Sequence, residues 1–170
     1  DLNGDGEISD DDRTYVGDAQ PDLTFGWQNN FTWKNWDFSF FFRGTIGNKV
    51  LNNPRAAYAN NTYLIGTNAL DDELSYTMKE SSRVCCYYLE NGSFIRLDNL
   101  ALGYTFDTKK INRLDKARLY FAAQNLFVIT GYKGLDPEVE LFRGESSDTD
   151  AGLSPGIEPR QFFPKARTFT

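Results

Sequence analysis

Residues 23–43 read Leu-Thr-Phe-Gly-Trp-Gln-Asn-Asn-Phe-Thr-Trp-Lys-Asn-Trp-Asp-Phe-Ser-Phe-Phe-Phe-Arg. Leu23, Phe25, Trp27, Phe31 and Trp33 occupy odd positions, with Thr24, Gln28, Asn30 and Thr32 between them. After Lys34-Asn35 the apolar set moves to even positions, Trp36, Phe38, Phe40 and Phe42, with Asp37, Ser39 and Arg43 opposite. A period of two is the signature of a strand, so the stretch predicts two strands, a tight connection and one apolar face. That face is more aromatic than a small core requires, and Trp27, Trp33 and Trp36 suit the aromatic girdles of a membrane-spanning sheet.

Working outward, residues 93–106 resume a strand, with Ile95 and Leu97 in one phase and Leu100, Leu102, Tyr104 and Phe106 in the other. The phase slip at Asp98-Asn99 predicts a bulge. Residues 108–116 make a short polar turn, after which Ala117, Leu119, Phe121 and Ala123 alternate with Arg118, Tyr120, Ala122 and Gln124. The chain thus divides into an acidic loop (1–21), a hairpin (22–46), a long loop (47–92), a second hairpin (93–130), a long loop (131–164) and the opening of a further strand (165–170). Periodicity vanishes in the long loops, and neither predicts a helix. Structureless stretches of that length are uncommon inside a compact soluble domain. Short connections on one side and long ones on the other are the asymmetry of a membrane barrel, with turns inside and loops outside. The fold class expected is therefore all-β, made of antiparallel transmembrane β-barrel strands with long extracellular loops.

Composition agrees. Fourteen Phe, nine Tyr and three Trp accompany a single Met among 170 residues that are 40% hydrophobic. No apolar run reaches the roughly 18 residues of a spanning helix, whereas a spanning strand needs only about 9 to 11 and alternates. The formal net charge of -6 argues against nucleic acid as a partner, because phosphate binding needs clustered Lys and Arg. The sequence contains no histidine, which removes Ser-His-Asp and Cys-His catalysis and His-type zinc sites within these residues. No convergent acid and base pair stands out, and the chain reads as a non-enzyme. Cys85 and Cys86 are adjacent, so a bridge between them would be strained; reduced thiols without a function are the reading.

Residues 1–12, Asp-Leu-Asn-Gly-Asp-Gly-Glu-Ile-Ser-Asp-Asp-Asp, have the spacing of a calcium loop. Side chains of Asp1, Asn3, Asp5, Ser9 and Asp12, with the Glu7 carbonyl, form the candidate Ca²⁺ ligand set, and Gly6 sits at the sharp turn. A solvated Asx-rich turn is the bland alternative. By the parity of the connections this loop lies outside, where calcium is plentiful. Tyr58, Tyr63, Tyr76, Tyr87, Tyr88 and Tyr132 fall in the outer loops, and Arg96, Asp98, Arg118 and Gln124 are expected to pair between neighbouring strands on the barrel interior.

Ordered blocks along nearly the whole chain, among them Asp-Leu-Asn-Gly-Asp-Gly-Glu-Ile (1–8), Gly-Ser-Phe-Ile-Arg-Leu-Asp-Asn-Leu (92–100), Leu-Gly-Tyr-Thr (102–105), Gln-Asn-Leu (124–126), Asp-Pro-Glu (136–138) and Pro-Lys-Ala-Arg-Thr-Phe-Thr (164–170), resemble the C-terminal end of SusC/RagA-type TonB-dependent outer-membrane transporters of Bacteroidetes. The resemblance implies the last strands of a 22-stranded barrel in the cell outer membrane, with the plug domain absent from this stretch. It also implies a SusD-like surface lipoprotein, coupling to TonB through the missing N-terminal part, outer-membrane lipid around the barrel, and uptake of glycans (oligosaccharides) or peptides. The alternative is a soluble, calcium-dependent carbohydrate-binding β-domain, which accounts for the acidic loop and the tyrosines but not for the two long loops on one side.

Overall fold

The structure is a computed structural model and describes residues 2–4, 6, 10–59, 85–107, 116–139, 155–160 and 163–170. In chain order it contains β1 (Leu23–Trp33), β2 (Trp36–Ile46), β3 (Lys49–Leu51), α1 (Asn53–Tyr58), β4 (Leu89–Asn91), β5 (Phe94–Phe106), β6 (Ala117–Thr130) and β7 (Thr168–Phe169). Strands β1, β2, β5, β6 and β7 lie side by side in that order as one antiparallel sheet, and β3 pairs with β4 in a small separate ladder. Each long strand neighbours the long strand that precedes it, which makes the sheet a simple meander.

The register explains why the sheet has two unlike faces. Trp33 pairs with Trp36, Phe31 with Phe38 and Trp27 with Phe42 across the first hairpin. Phe38 and Phe40 then pair with Leu102 and Leu100 on β5, and Leu102 pairs with Phe121 on β6. One apolar band therefore runs across four strands. Its rings touch one another: Trp27 meets Phe40 edge-on at 5.2 Å between centroids, Trp36 meets Tyr104 at 4.7 Å, and Phe121 stacks on Phe169 of β7 at 6.2 Å. Such pairs contribute about 0.5 to 1.5 kcal/mol each beyond their area. The band is nonetheless open, with Trp27 58%, Leu119 68% and Ile129 62% exposed. Trp33 and Trp36 flank the tight turn, as girdle residues would, whereas Trp27 stands within β1 among the phenylalanines.

Strand length fits a membrane. The 13 residues of β5 rise roughly 43 Å at about 3.3 Å each, and at a tilt of about 45° they cover roughly 30 Å, the thickness of the hydrocarbon. Lys34 has φ 53°, the left-handed conformation that lets a two-residue turn follow the twist of its strands. On the polar face Arg118 reaches Asp37 at 2.5 Å, crossing over Gly103. A Cβ on Gly103 would lie 2.6 Å from the Asp37 carboxylate and 2.8 Å from the Arg118 guanidinium, so the ion pair occupies the space that glycine leaves.

One feature differs from the sequence reading, and one expected feature has a counterpart on the next strand. The stretch 47–92 holds β3, α1 and β4 rather than loop alone. Asn52 caps α1 by accepting a hydrogen bond from the Arg55 N–H at 3.0 Å, with proline in the first turn. Six residues are too few to display a helical period, which is why the pattern gave no sign of it. The phase slip at Asp98 is a bulge, and β6 answers it: Leu97 pairs with Phe127 but Asn99 with Gln124, leaving Asn125 and Leu126 opposite Asp98.

A lysine at Phe40, which pairs with Leu100 in mid-strand, is expected to cost about 2 to 4 kcal/mol if the aromatic band faces hydrocarbon. Denaturant unfolding of Phe40→Lys in lipid bilayers measures this, and stability equal to the parent contradicts a lipid-facing band.

Candidate functional site: a charged node at the loop end of the sheet

Arg43 on β2 and Arg96 on β5 are direct cross-strand partners on the polar face. Like charges placed opposite one another destabilise a sheet, so this register requires anions at the same level. Three carboxylates supply them. Asp98, freed from pairing by the bulge, lies 3.2 Å from Arg43 Nε. The other two come from a strap, residues 131–139, that leaves β6 and folds back along the polar face. Glu138 takes Arg43 in a two-pronged grip, at 2.5 Å from Nη1 and 2.8 Å from Nη2. Asp136 lies 2.5 Å from Arg96 Nη2. Lys165, on the approach to β7, adds a third cation 3.0 Å from Glu138.

Arg96 is 1% exposed and makes its remaining contacts inside the sheet. Its Nη1 donates to the side-chain oxygen of Asn125, whose own amide donates to the Lys165 carbonyl at 2.6 Å. Asn125 has φ 51°, a conformation asparagine tolerates better than most residues, and the β6 bulge is what turns its side chain toward Arg96. Among the described residues Arg96 Nε has no hydrogen-bond partner; it lies 3.6 Å from Glu138 Oε2. Burial alone would raise the Glu138 carboxyl, but the hydrogen bonds from Arg43 and Lys165 outweigh it and hold the group below the usual carboxylate range.

A second pin holds the strap's other end. Glu158 is fully buried, accepts from the Tyr132 hydroxyl at 2.5 Å and from the Leu135 N–H at 3.1 Å, and donates its own N–H to Leu51 of β3 at 3.0 Å. Burial, reinforced by Glu158, pushes the Tyr132 hydroxyl well above its ordinary pKa, so the proton stays on the phenol. A Cβ on Gly134 would come within 2.4 Å of both Glu158 and the Tyr132 ring, so the strap closes on itself only with glycine there. Glu90 of β4 ties the same region to α1, accepting from the Lys133 N–H at 2.7 Å and from Arg55 at 2.9 Å. Beside Glu138 a cleft of about 230 Å³ opens, lined among others by Gln20, Thr45, Asn48, Val50 and Phe94.

The residues singled out from sequence fall in several places. Asp12 reaches back to the start of its loop, accepting from the N–H groups of Leu2 at 2.6 Å and Asn3 at 3.4 Å. Asp1, Asp5, Glu7 and Ser9 lie outside the described residues, as do Tyr63 and Tyr76. Among the described residues no three His, Cys, Asp or Glu side chains are grouped to hold a metal ion. Tyr88 and Tyr132 are buried packing residues, while Tyr58 and Tyr87 are exposed. Cys85 and Cys86 are free thiols. Arg96 and Asp98 meet in the node, and Arg118 pairs with Asp37 instead. Sequence reasoning missed Arg43, Asp136, Glu138 and Glu158. A signal existed for the strap: Asp-Pro-Glu is a turn former, and Asp136 accepts from the Glu138 N–H at 3.0 Å as an Asx turn does.

An antiparallel meander of membrane-length strands, aromatic outside and charge-compensated inside, defines a section of an outer-membrane barrel wall. No family model matches the chain. The TonB-dependent receptor P3 of Formosa agariphila is 35% identical over 184 residues, which cover all of this chain and 18% of that protein. The TonB-dependent receptor SusC of Bacteroides thetaiotaomicron is 31% identical over 154 residues, covering 82% of this chain and 15% of that protein. The RagAB peptide importer in its closed-closed state superposes with a TM-score of 0.73 at 25% identity, covering 96% of this chain and 18% of that one. The chain belongs to the SusC/RagA-type TonB-dependent receptors. Its place is the outer membrane, which sets aside the soluble carbohydrate-binding domain. It spans less than a fifth of the length of the relatives it matches, 18% for P3.

Two outcomes test the node. Replacing Arg96 by methionine strands Asp136 and Asn125 without their cation and is expected to destabilise the loop end by about 3 to 5 kcal/mol. Faster proteolytic cutting of residues 131–139, with the barrel strands still protected, is the measurement. The pH dependence follows from Glu138, whose folded pKa lies below its ordinary 4.5. Its contribution to docking is complete above that value and is lost as pH falls through the folded pKa. Strap protection from hydrogen exchange should therefore hold from about pH 7 to 5 and weaken only once the pH falls below the ordinary carboxylate range.

Proposed function

We propose that the chain is part of the wall and outer loop region of an importer that takes up nutrients across the outer membrane, driven through TonB and assembled with a SusD-like surface lipoprotein. The observation that carries this reading is the whole-length match to TonB-dependent receptors combined with a sheet whose aromatic face is open and whose polar face is charge-compensated. In this reading the chain contributes no catalysis. It supplies lipid-facing wall and an interior surface, and the loop end, where α1, β3, β4 and the strap gather, is the side presented to the lipoprotein and to cargo. The plug and the TonB-contacting segment belong to the rest of the receptor.

The cargo is a glycan or a peptide. The RagAB peptide importer among the similar structures supports a peptide, and the family resemblance of the sequence keeps a glycan within the reading. The acidic loop is proposed to bind one structural Ca²⁺ through Asp1, Asn3, Asp5, Ser9 and Asp12 and the Glu7 carbonyl. The return of the Asp12 carboxylate onto the first residues supports a closed loop, as a cation would require of position 12. The ion would fasten the loop ahead of β1 and do no chemistry.

The uptake reading predicts that the species carrying this sequence in its host membrane is a large, heat-modifiable protein needing detergent. It also predicts that deleting its gene abolishes growth on one class of oligomeric nutrient while growth on the corresponding monomers persists. A small detergent-independent species, or unchanged growth on every glycan and peptide source, contradicts it. For the metal, Asp12→Ala should remove close to one calcium per protein by elemental analysis, and an unchanged calcium content removes the assignment.

A further inference from the structure

We propose that Arg43, Arg96 and Lys165 form a receiving site for a carboxylate, that Glu138 of the strap occupies it as a built-in stand-in, and that the ligand admitted in its place carries a free carboxylate group. The cations and the stand-in differ in how they are held. Arg43 and Arg96 stand on adjacent long strands, locked by register, with Arg96 fully enclosed. Glu138 stands on the strap and not on a strand, and the strap keeps two other anchors, Asp136 on Arg96 and Tyr132 on Glu158. Those anchors hold the strap in place when the Glu138 side chain turns out of the node.

The stand-in also fits imperfectly. It satisfies both terminal nitrogens of Arg43, yet leaves Arg96 Nε at 3.6 Å, a buried donor with no hydrogen-bond partner among the described residues. An unsatisfied donor at a buried guanidinium is costly, and a carboxylate not tethered to the strap can settle between the two arginines and engage it. Charge allows the exchange. Three cations, Arg43, Arg96 and Lys165, face three carboxylates, Asp98, Asp136 and Glu138, so one carboxylate replacing another leaves the node neutral. A cleft of about 230 Å³ borders the node with Glu138 in its wall, so turning Glu138 aside would open the cleft toward the cations behind it. Its remaining lining offers the amides of Gln20 and Asn48, the Thr45 hydroxyl, and apolar Val50 and Phe94, enough to hold one ring or one residue of an oligomer behind its carboxylate.

This inference rests on the uptake reading for what the ligand is, cargo with an acidic end, but its test does not pass through uptake. Binding is measured by calorimetry on the full-length receptor purified in detergent. The probes are a tetrapeptide with a free C-terminus, its C-terminally amidated twin, a glucuronate-terminated disaccharide and its glucose-terminated counterpart. The expected result is that an acidic probe binds at least tenfold more tightly than its neutral twin, and the pair that shows the difference tells peptide from sugar. Glu138→Gln, which weakens the stand-in, should tighten the acidic probe at least tenfold again, and adding Arg43→Gln should erase that gain. Glu138→Ala removes the stand-in while keeping all three cations; it serves if Glu138→Gln fails to assemble, with the same direction expected. Equal binding of acidic and neutral twins, or a Glu138→Gln or Glu138→Ala receptor no better than the parent, overturns the proposal. Loss of uptake in cells with binding intact would instead bear on the uptake reading alone.

Discussion

Arg43 facing Arg96 across β2 and β5 is the constraint around which the loop end is built. Two guanidinium groups at one level of a sheet need anions, and a buried one needs them at close range. That requirement accounts for features otherwise unrelated: the bulge that frees Asp98, the left-handed Asn125 on β6, the fold-back of the strap, and the course of Lys165 toward β7. Each brings a polar group to the same few ångströms. Five segments distant in sequence are thereby joined through side chains where the backbone ladder alone would leave them independent.

The two faces of the sheet are stabilised by different means. On the aromatic side the rings touch one another and lie open, an arrangement that favours a hydrocarbon neighbour over water. On the polar side stability comes from paired charges, exposed and weak at Asp37–Arg118, enclosed and strong at the node. The contrast follows the strand direction. Toward the tight turn the polar face carries the solvated Asp37–Arg118 pair; toward the loops it is covered by the strap and the Glu158 pin. The loop end is thus the covered, charge-dense end of the sheet, and the turn end the open one.

Much of the sheet was legible because alternation states both strand and face. Trp27, Phe31, Phe38, Phe40 and Phe42 fixed the first hairpin, and the slip at Asp98 exposed the bulge. What could not be read was long-range and polar. Nothing in the neighbourhood of Arg43 indicates that its partner stands 95 residues later, since an ion pair leaves no periodic trace. Glu158 reads as one more loop carboxylate until the strap buries it. Helix α1 was missed because its sign is a cap, Asn52, and not a period. The calcium spacing was legible, but spacing does not state occupancy. The family resemblance, by contrast, was carried by short blocks in fixed order, which the whole-length similarity to TonB-dependent receptors confirms.

The paired bulges carry a consequence for how the wall is put together. Alternation alone permits a strand to add in any register shifted by two residues, since every such shift keeps aromatic side chains on one face. Asp98 on β5 and Asn125 on β6 break that degeneracy, because each leaves the ladder only at one level and Arg96 meets both neighbours only when the levels coincide. A shifted strand would slide the irregularities past one another and leave a guanidinium enclosed without its amide. The defects in the sheet thus act as a key for assembly, and a wall built by successive strand addition would be proofread at the level of Arg96.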